Sequence, residues 1–423
     1  MKKLSYDIAV VGGGPAGMAA ALEARENGAE KVLICERGSR LGGILEQCIH
    51  NGFGLSYFKE ELTGPEYAHR FIQRLRESDI DVKLETMVID ISKNKEIVAV
   101  NQTDGLFTVD VGALILAMGC RERTREAITI PGDRPSGIMT AGTAQRYTNI
   151  EGYMPGREIV ILGSGDIGLI MARRLSLEGA NVKCALEIMP YSTGLIRNKV
   201  QCLDDFGIPL YLNHTVTRAV GKQRLEGVFV SGVDIQSKAP VPGTEKYIPC
   251  DTLLLSVGLI PENELSKKAG VTLDPVTKGP VVDEKRRTSV DWIFACGNVL
   301  HVHDLVDNVS EEAELAGRSA AGYVTGKYQV KPVSIGVIAG ENIGYVVPQS
   351  LGSENTDGKT IRFHMRVKNP DENVKLTIKN SGGKILARFP RDIVEPGAMQ
   401  SISLPAQCIA DHPRSLTISS ERG

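Results

Sequence analysis

Apolar and polar positions follow two different rhythms along this chain. Near the N-terminus the continuous run Ile8-Ala9-Val10-Val11 breaks at three glycines and continues with helical periodicity. It then returns to a second apolar run, Val32-Leu33-Ile34-Cys35. That order reads as strand, helix, strand, and it recurs over residues 157–187. Between the two copies, PEYAHRFIQRLRESDIDVKLETMVIDI predicts a helix followed by a strand. LFTVDVGALILAMG (106–119) predicts a hairpin ending in a buried strand. A helix over NKVQCLDDFG, strands across 208–257, the apolar strand WIFACGN (292–298) and an amphipathic helix over VSEEAELAGRSAAGYVTG follow. From residue 331 the runs shorten to IRFHMRV, VKLTIK, KILARF, SISLP and SLTIS, separated by NPDE, NSGG, EPG and ADHPR. Turn chemistry at that spacing predicts a small antiparallel β module.

Each strand–helix–strand copy carries a glycine signature at its break. Gly12, Gly14 and Gly17 occupy the G-x-G-x-x-G positions of the first, and Gly163, Gly165 and Gly168 those of the second. Glu36 and Glu187 close the two units, each 24 positions after the first glycine. The first glycine permits a tight turn, the second lets backbone approach a pyrophosphate, and the third lets helix pack on strand. The helix N-terminus supplies N–H donors for phosphate, and the terminal Glu can accept from ribose hydroxyls. Two complete units predict a chain that holds two dinucleotides.

At 423 residues the chain has room for about three domains. Its 24% charged content is ordinary, and a net charge of −2 offers no footprint for nucleic acid or an anionic membrane. Met1-Lys2-Lys3 does not open a signal peptide, because Asp7 and the glycines interrupt the apolar stretch. Residues 8–22 lack charge but fall short of the ~20 residues of a membrane span. A cytoplasmic location is expected. None of the eight cysteines forms C-x-x-C, so neither a local dithiol nor a zinc knuckle is expected. Cys35, Cys120, Cys184 and Cys296 sit in or after apolar runs and read as small core residues.

Three further segments narrow the family. ALILAMGCRE (113–122), DTLLLSVGLIPENEL (251–265) and TSVDWIFACGNV (288–299) are similar to the bridging strand, the domain-closing segment and the flavin-ribityl motif of two-dinucleotide flavoproteins. Over about residues 5–325 the chain resembles pyridine-nucleotide/disulfide-reductase-like FAD oxidoreductases lacking the redox dithiol. GGILEQCIHNGFGLSYFKEELTGPEYA and ACGNVLHVHDLVDNVSEEAELAG resemble a bacterial subgroup. Its members accompany glycerol-3-phosphate dehydrogenase-type subunits, and it is similar to the α subunits of opine oxidases and hydrogen cyanide synthases. Two departures stand out. Asn298 replaces the usual Asp, and the tail has Cys408 where opine-oxidase-like relatives carry a cysteine-rich iron–sulfur module.

The resemblance implies an α/β fold with two Rossmann-like domains, the second inserted in the first, and the short-strand pattern adds a small C-terminal antiparallel β module. An FAD-binding domain spans 1–120 and 258–330, an NAD-binding domain 121–257 and the module 331–423. Gly12, Gly14, Pro15, Ala16, Gly17, Glu36, Arg37, Gly42, Gly43, Ala117, Gly119, Gly297 and Asn298 would serve FAD. Gly163, Gly165, Asp166, Ile167, Gly168, Glu187 and Gly258 would serve NAD. A carboxylate at the second ribose, followed by Ile188-Met189-Pro190 with no Arg or Lys, favours NAD(H) over NADP(H).

Cys48, His50 and Asn308 are the flavin-proximal candidates for catalysis. Cys48, His50 and Asn51 fall where disulfide-reducing relatives hold their cysteines, and a single Cys cannot form that bridge. Asn308 with Glu311 makes a capping box for a helix aimed at the flavin. His301, His303 and Asp304 add polar groups expected near the ring, and H-x-H on a loop lacks metal-site logic, so no metal is expected. The expected activity is hydride transfer between NAD(H) and flavin, with electrons passed to a partner subunit or acceptor. Partners would be a dehydrogenase- or oxidase-type subunit or further copies of the chain. The alternatives are an electron-handling α subunit of an opine- or amino-acid-oxidase complex, and a non-catalytic flavin scaffold or redox sensor.

Overall fold

The computed structural model describes residues 2–327, 333–352 and 360–422. It divides into two compact units, Met1–Cys120 with Pro261–Gly423, and Arg121–Ile260.

In the first unit the apolar runs become parallel strands. Asp81–Lys83, Val32–Cys35, Lys2–Val11 and Gly105–Leu116 lie in that order, and Ile293–Ala295 adds in parallel beside Gly105–Leu116. Ile8, Val10, Leu33, Ile34, Leu114 and Ile115 are fully buried, as expected for strands covered on both faces. Residues 106–119 do not fold into the expected hairpin. Gly105–Leu116 is one strand along Lys2–Val11, and the hairpin forms earlier, against Glu96–Asn101. The aliphatic run favours one long paired strand, and the turn falls at Gly105, whose φ of +64° suits glycine.

Two helices cover one face and run in the same direction. Pro15–Glu26 and Val306–Val324 approach so closely that a Cβ on Gly317 would fall 2.2 Å from the Ala20 carbonyl oxygen. Ala313, Ala316 and Ala320 keep that contact apolar and thin. Both helices therefore begin at the same end, where the parallel strands finish. The helix Gly64–Arg76 packs there too, started by a Thr63–Glu66 capping box and buried through Tyr67, Ala68, Phe71 and Leu75.

The C-terminal module belongs to this unit. One sheet orders Ser350–Gly352, Val333–Ala339, Ser415–Arg422, Asp371–Asn380 and Ile385–Val394; a second orders Ile343–Val347, Thr360–Val367 and Gln400–Pro405. Its pairings are antiparallel except that Val333–Ala339 runs parallel to Ser415–Arg422. Phe363, Met365, Leu376, Ile378, Leu416 and Ile418 fill its core.

The second unit holds a five-stranded parallel sheet ordered Ile138–Thr140, Thr252–Leu255, Glu158–Leu162, Asn181–Glu187 and Leu210–Leu212. Helix Asp166–Leu177 packs on it through Leu169, Met171, Ala172 and Leu175. An antiparallel sheet, His214–Val220, Gly227–Gly232 and Lys246–Pro249, accompanies it.

Candidate dinucleotide sites

The first glycine loop is shaped by contacts that only glycine tolerates. Gly12 turns at φ +107°, and a Cβ there would lie 2.4 Å from the Ala117 carbonyl oxygen. A Cβ on Gly17 would lie 1.8 Å from the Gly12 oxygen, so the helix rests directly on the turn. Gly14 differs. Its nearest neighbour would be the Gly43 Cα at 3.9 Å, so the helix N-terminus opens onto free space. Gly14 is the N-cap, Pro15 opens the helix, and no side chain caps the first turn. Those N–H groups are left for a ligand.

Glu36 is already turned to this loop. Its Oε2 accepts from Gly13 N at 2.7 Å and its Oε1 from Gly38 N at 2.6 Å. Gly42 N donates to Gly13 O at 2.9 Å, which brings Gly43 over the loop. Gly297, at φ +72°, would clash with Ala16 Cβ at 2.8 Å if it carried a side chain. Asn298 Oδ1 accepts from His303 N at 3.0 Å, and its Nδ2 lies 3.6 Å from Cys120 Sγ. Gly119 has φ +71° at the end of the bridging strand, and Arg37 is exposed. The cradle of bare glycine, free helix amides and an aligned carboxylate fits the ADP half of FAD.

The second unit repeats the device with Ser256 in the role of the contact residue. A Cβ on Gly163 (φ +95°) would lie 2.0 Å from Ser256 O, and one on Gly168 2.6 Å from Ser256 Cβ. Ser256 Oγ accepts from Gly168 N at 3.1 Å and donates to Gly165 O at 3.3 Å. Glu187 is buried. Its Oε2 accepts from Ser164 N, Ser164 Oγ and Thr193 Oγ1, and its Oε1 from Met189 N. Asp166 turns its carboxylate away from the loop, accepting from Leu195 N and Asn198 Nδ2, so only its backbone can serve a phosphate. Ile167 follows it half-buried in the first turn, and Gly258 O accepts from Arg123 N at 3.0 Å with φ +102°.

The three catalytic candidates fare differently. Cys48 is half-buried, donates to Ile44 O at 3.3 Å, and burial pushes its thiol up to about 12. At neutral pH it is a protonated thiol. His50 stacks 4.9 Å from Phe53, with Nδ1 against Asn51 O. Asn308 is not a cap. The helix begins at Val306 with Leu305 as N-cap, so Asn308 sits in the first turn and the box with Glu311 does not form. The residue that organises this end is Asp307. Its carboxylate accepts from Gly54 N, Ser56 N, Ser56 Oγ and Tyr57 N, fastening the 54–57 loop to the helix start.

His301, His303 and Asp304 do not line an open site either. Both imidazoles are buried and point Nε2 at Glu312, at 3.1 and 3.0 Å. Asp304 pairs with Arg366 and accepts from Met399 N. Glu312 also accepts from Arg286 Nε at 3.0 Å and Gly297 N at 2.9 Å. Burial pushes its carboxyl up, but the two imidazoles and the guanidinium outweigh that and hold it well below the ordinary range. Burial, helped by His303, lowers His301 to about 4. The two histidines and Glu312 are close enough to hold a metal ion. Four N–H donors already occupy the carboxylate, however, and Arg286 brings a cation into the same pocket. The sequence did carry a signal for Glu312: it lies between Val309 and Ala316 on the apolar stripe of its helix, where an acid needs partners.

Comparison with known proteins agrees with this geometry. The family model for pyridine nucleotide-disulphide oxidoreductases matches residues 6–320. An opine oxidase subunit of Agrobacterium tumefaciens (strain Ach5) is 27% identical over 75% of this chain and 64% of its own length. The hydrogen cyanide synthase subunit HcnB of Pseudomonas protegens is 29% identical over 63% of this chain and 60% of its own. The chain thus spans under two thirds of these relatives. The crystal structure of T. acidophilum thioredoxin reductase superposes with a TM-score of 0.61 at 25% identity, covering 75% of this chain and 98% of that one. Among the described residues, no helix is long and apolar enough to cross a membrane.

Proposed function

The chain belongs to the pyridine nucleotide-disulphide oxidoreductase family, and from that premise we propose that it moves hydride between NAD(H) and a bound FAD and passes the electrons to a partner subunit or acceptor. One observation carries this reading. Two glycine loops in one chain each lead into a helix whose N-cap is a glycine with no side chain to offer, and each has a carboxylate already bonded to the loop backbone.

Bound FAD supplies two-electron acceptor chemistry that no side chain has. The chain's contribution is positioning. The amides of Gly14, Ala16 and Gly17 would hold pyrophosphate, Glu36 would fix a ribose, and Asn298 is placed by His303 N beside the Gly297 turn. In the second unit the amides from Gly165 to Ile167 would play the same part, that of Gly168 being held by Ser256 Oγ. Glu187 is anchored by four donors, so its charge cannot swing away from an approaching 2′-phosphate. That favours NADH. Because Cys48 is a protonated thiol, no thiol–disulfide step is assigned to it.

The opine oxidase and hydrogen cyanide synthase relatives are both named for subunits of larger enzymes. We extend that to this chain and propose a dehydrogenase-type partner, with one of the glycerol-3-phosphate dehydrogenase type the first to test by co-purification. The direct assay is anaerobic. Purified protein should carry one FAD per chain, and NADH should bleach it faster at equal concentration than NADPH. Colourless protein that takes up no FAD, or equal bleaching by NADPH, would refute the respective part.

A further inference from the structure

The strongest unassigned feature is the buried polar cluster behind the Gly297–Asn298 turn. Glu312 stands at its centre, fully buried, with both oxygens shared. Oε2 holds Gly297 N and His303 Nε2, while Oε1 holds Arg286 Nε and His301 Nε2. Arg286 is itself buried, so the charges balance within the pocket, and the lowered affinity of His301 for protons leaves that imidazole neutral. A neutral imidazole pointing Nε2 at a carboxylate donates its single N–H there.

The turn so held is the one that presses on the first glycine loop. Gly297 lies against Ala16, in the first turn of the helix that begins the loop's phosphate cradle, with no room for a side chain. Asn298 follows directly.

The C-terminal module closes the cluster from the other side. His364 packs its ring 5.6 Å from His301 and 5.8 Å from His303. Its Nδ1 is bonded to Ser401 Oγ at 2.8 Å, and Tyr345 lies 6.0 Å from His301. Arg366 donates to Val302 O, between the two histidines, and pairs with Asp304. The segment carrying both imidazoles is therefore gripped by the module. Its other backbone bonds, His301 N to Gly297 O and His303 N to Asn298 Oδ1, stay within the turn itself.

We propose that Glu312 is a positioning residue for the flavin, fixing the Gly297–Asn298 turn from behind, and that the C-terminal module is required for it because the module clamps His301 and His303 onto the carboxylate. This rests on the FAD reading above.

The test uses the full-length protein and its Glu312→Ala, Glu312→Gln and Arg366→Ala variants, with Arg422→Ala, which removes an ion pair to Asp371 elsewhere in the module, as control. FAD is removed and titrated back by fluorescence. The Glu312 variants should bind at least tenfold more weakly, Arg366→Ala should fall between them and wild type, and Arg422→Ala should match wild type. If Glu312→Ala does not fold, Glu312→Gln preserves the volume and Arg366→Ala leaves the Glu312–Arg286 pair in place. A second readout separates positioning from bulk stability. Losing the carboxylate leaves Arg286 unbalanced beside the flavin turn, so the two-electron potential of the bound flavin should rise by about 30 mV for a tenfold shift toward the reduced form. Wild-type affinity in both Glu312 variants, an unshifted potential, or equal loss in Arg422→Ala would overturn the proposal. A wild-type protein that binds no FAD would instead refute the flavin reading.

Discussion

Gly14 and Gly17 are three residues apart in one motif, yet alanine at each should do opposite things to the empty protein. At Gly14 the backbone is extended (φ −77°), allowed for any residue, and the new methyl would meet nothing nearer than 3.9 Å. Apo-protein carrying Gly14→Ala should be as stable as wild type, or gain about 0.4–1 kcal/mol from the restricted unfolded chain. The methyl occupies the space a pyrophosphate needs. If it costs two charge-assisted N–H bonds at about 1.5–3 kcal/mol each, FAD affinity drops by roughly 10²–10⁴-fold. At Gly17 the methyl would sit 1.8 Å from the Gly12 oxygen and 2.9 Å from its carbon. Relief requires the helix to lift off the turn by more than an ångström, at about 1–3 kcal/mol of overpacking. Gly17→Ala should therefore lose both apo stability and FAD. Urea unfolding of the apo-proteins, paired with FAD titration, measures the two quantities separately. Wild-type FAD binding by Gly14→Ala would refute the assignment of the open cradle to phosphate, and an unaltered apo midpoint in Gly17→Ala would refute the packing.

Two further outcomes follow from buried titrating groups. His301 is lowered from 6.5 to about 4, so the unfolded chain binds the extra proton first and stability falls as pH drops below 6.5. The slope is about 1.4 kcal/mol per pH unit for each such proton; pH-dependent unfolding of His301→Gln should be flatter between pH 6.5 and 4, and an unchanged slope would count against it. Cys48, with its thiol at about 12, should resist iodoacetamide at pH 7 in the folded protein and react fast only in denaturant, read by mass spectrometry. Rapid native labelling would return it to the list of reactive groups.

Periodicity made the parallel strands and both glycine loops legible because each is local: a run of apolar residues, a turn that only glycine can take, and an acid at a fixed distance. Glu36 and Glu187 turn to their loops as spacing implies. What periodicity could not carry was direction. His301 and His303 sit beside the flavin motif in sequence, but Glu312, Arg286 and His364 draw them inward from three other segments. The helix start moved for a similar reason. Asp307 has four donors from the 54–57 loop, which no local capping pattern reveals, and that leaves Asn308 inside the helix.

The strand Ile293–Ala295 has a consequence for how this protein is made. Its place is beside Leu114, Ile115 and Leu116, whose other edge is taken by Lys2–Val11. Glu96–Asn101 covers only the earlier half of that strand, up to Asp110. On a ribosome adding about 5–20 residues per second, the missing strand arrives roughly ten to thirty-five seconds after Leu116. During that wait an aliphatic edge stands unpaired, the kind of template that recruits strands from other chains. The intervening 121–260 unit has its own sheet and cores, so it can fold meanwhile and draw the two halves of its host together. Yield on expression should accordingly depend on how quickly the inserted unit folds, and substitutions deep within it should cause aggregation of the host unit.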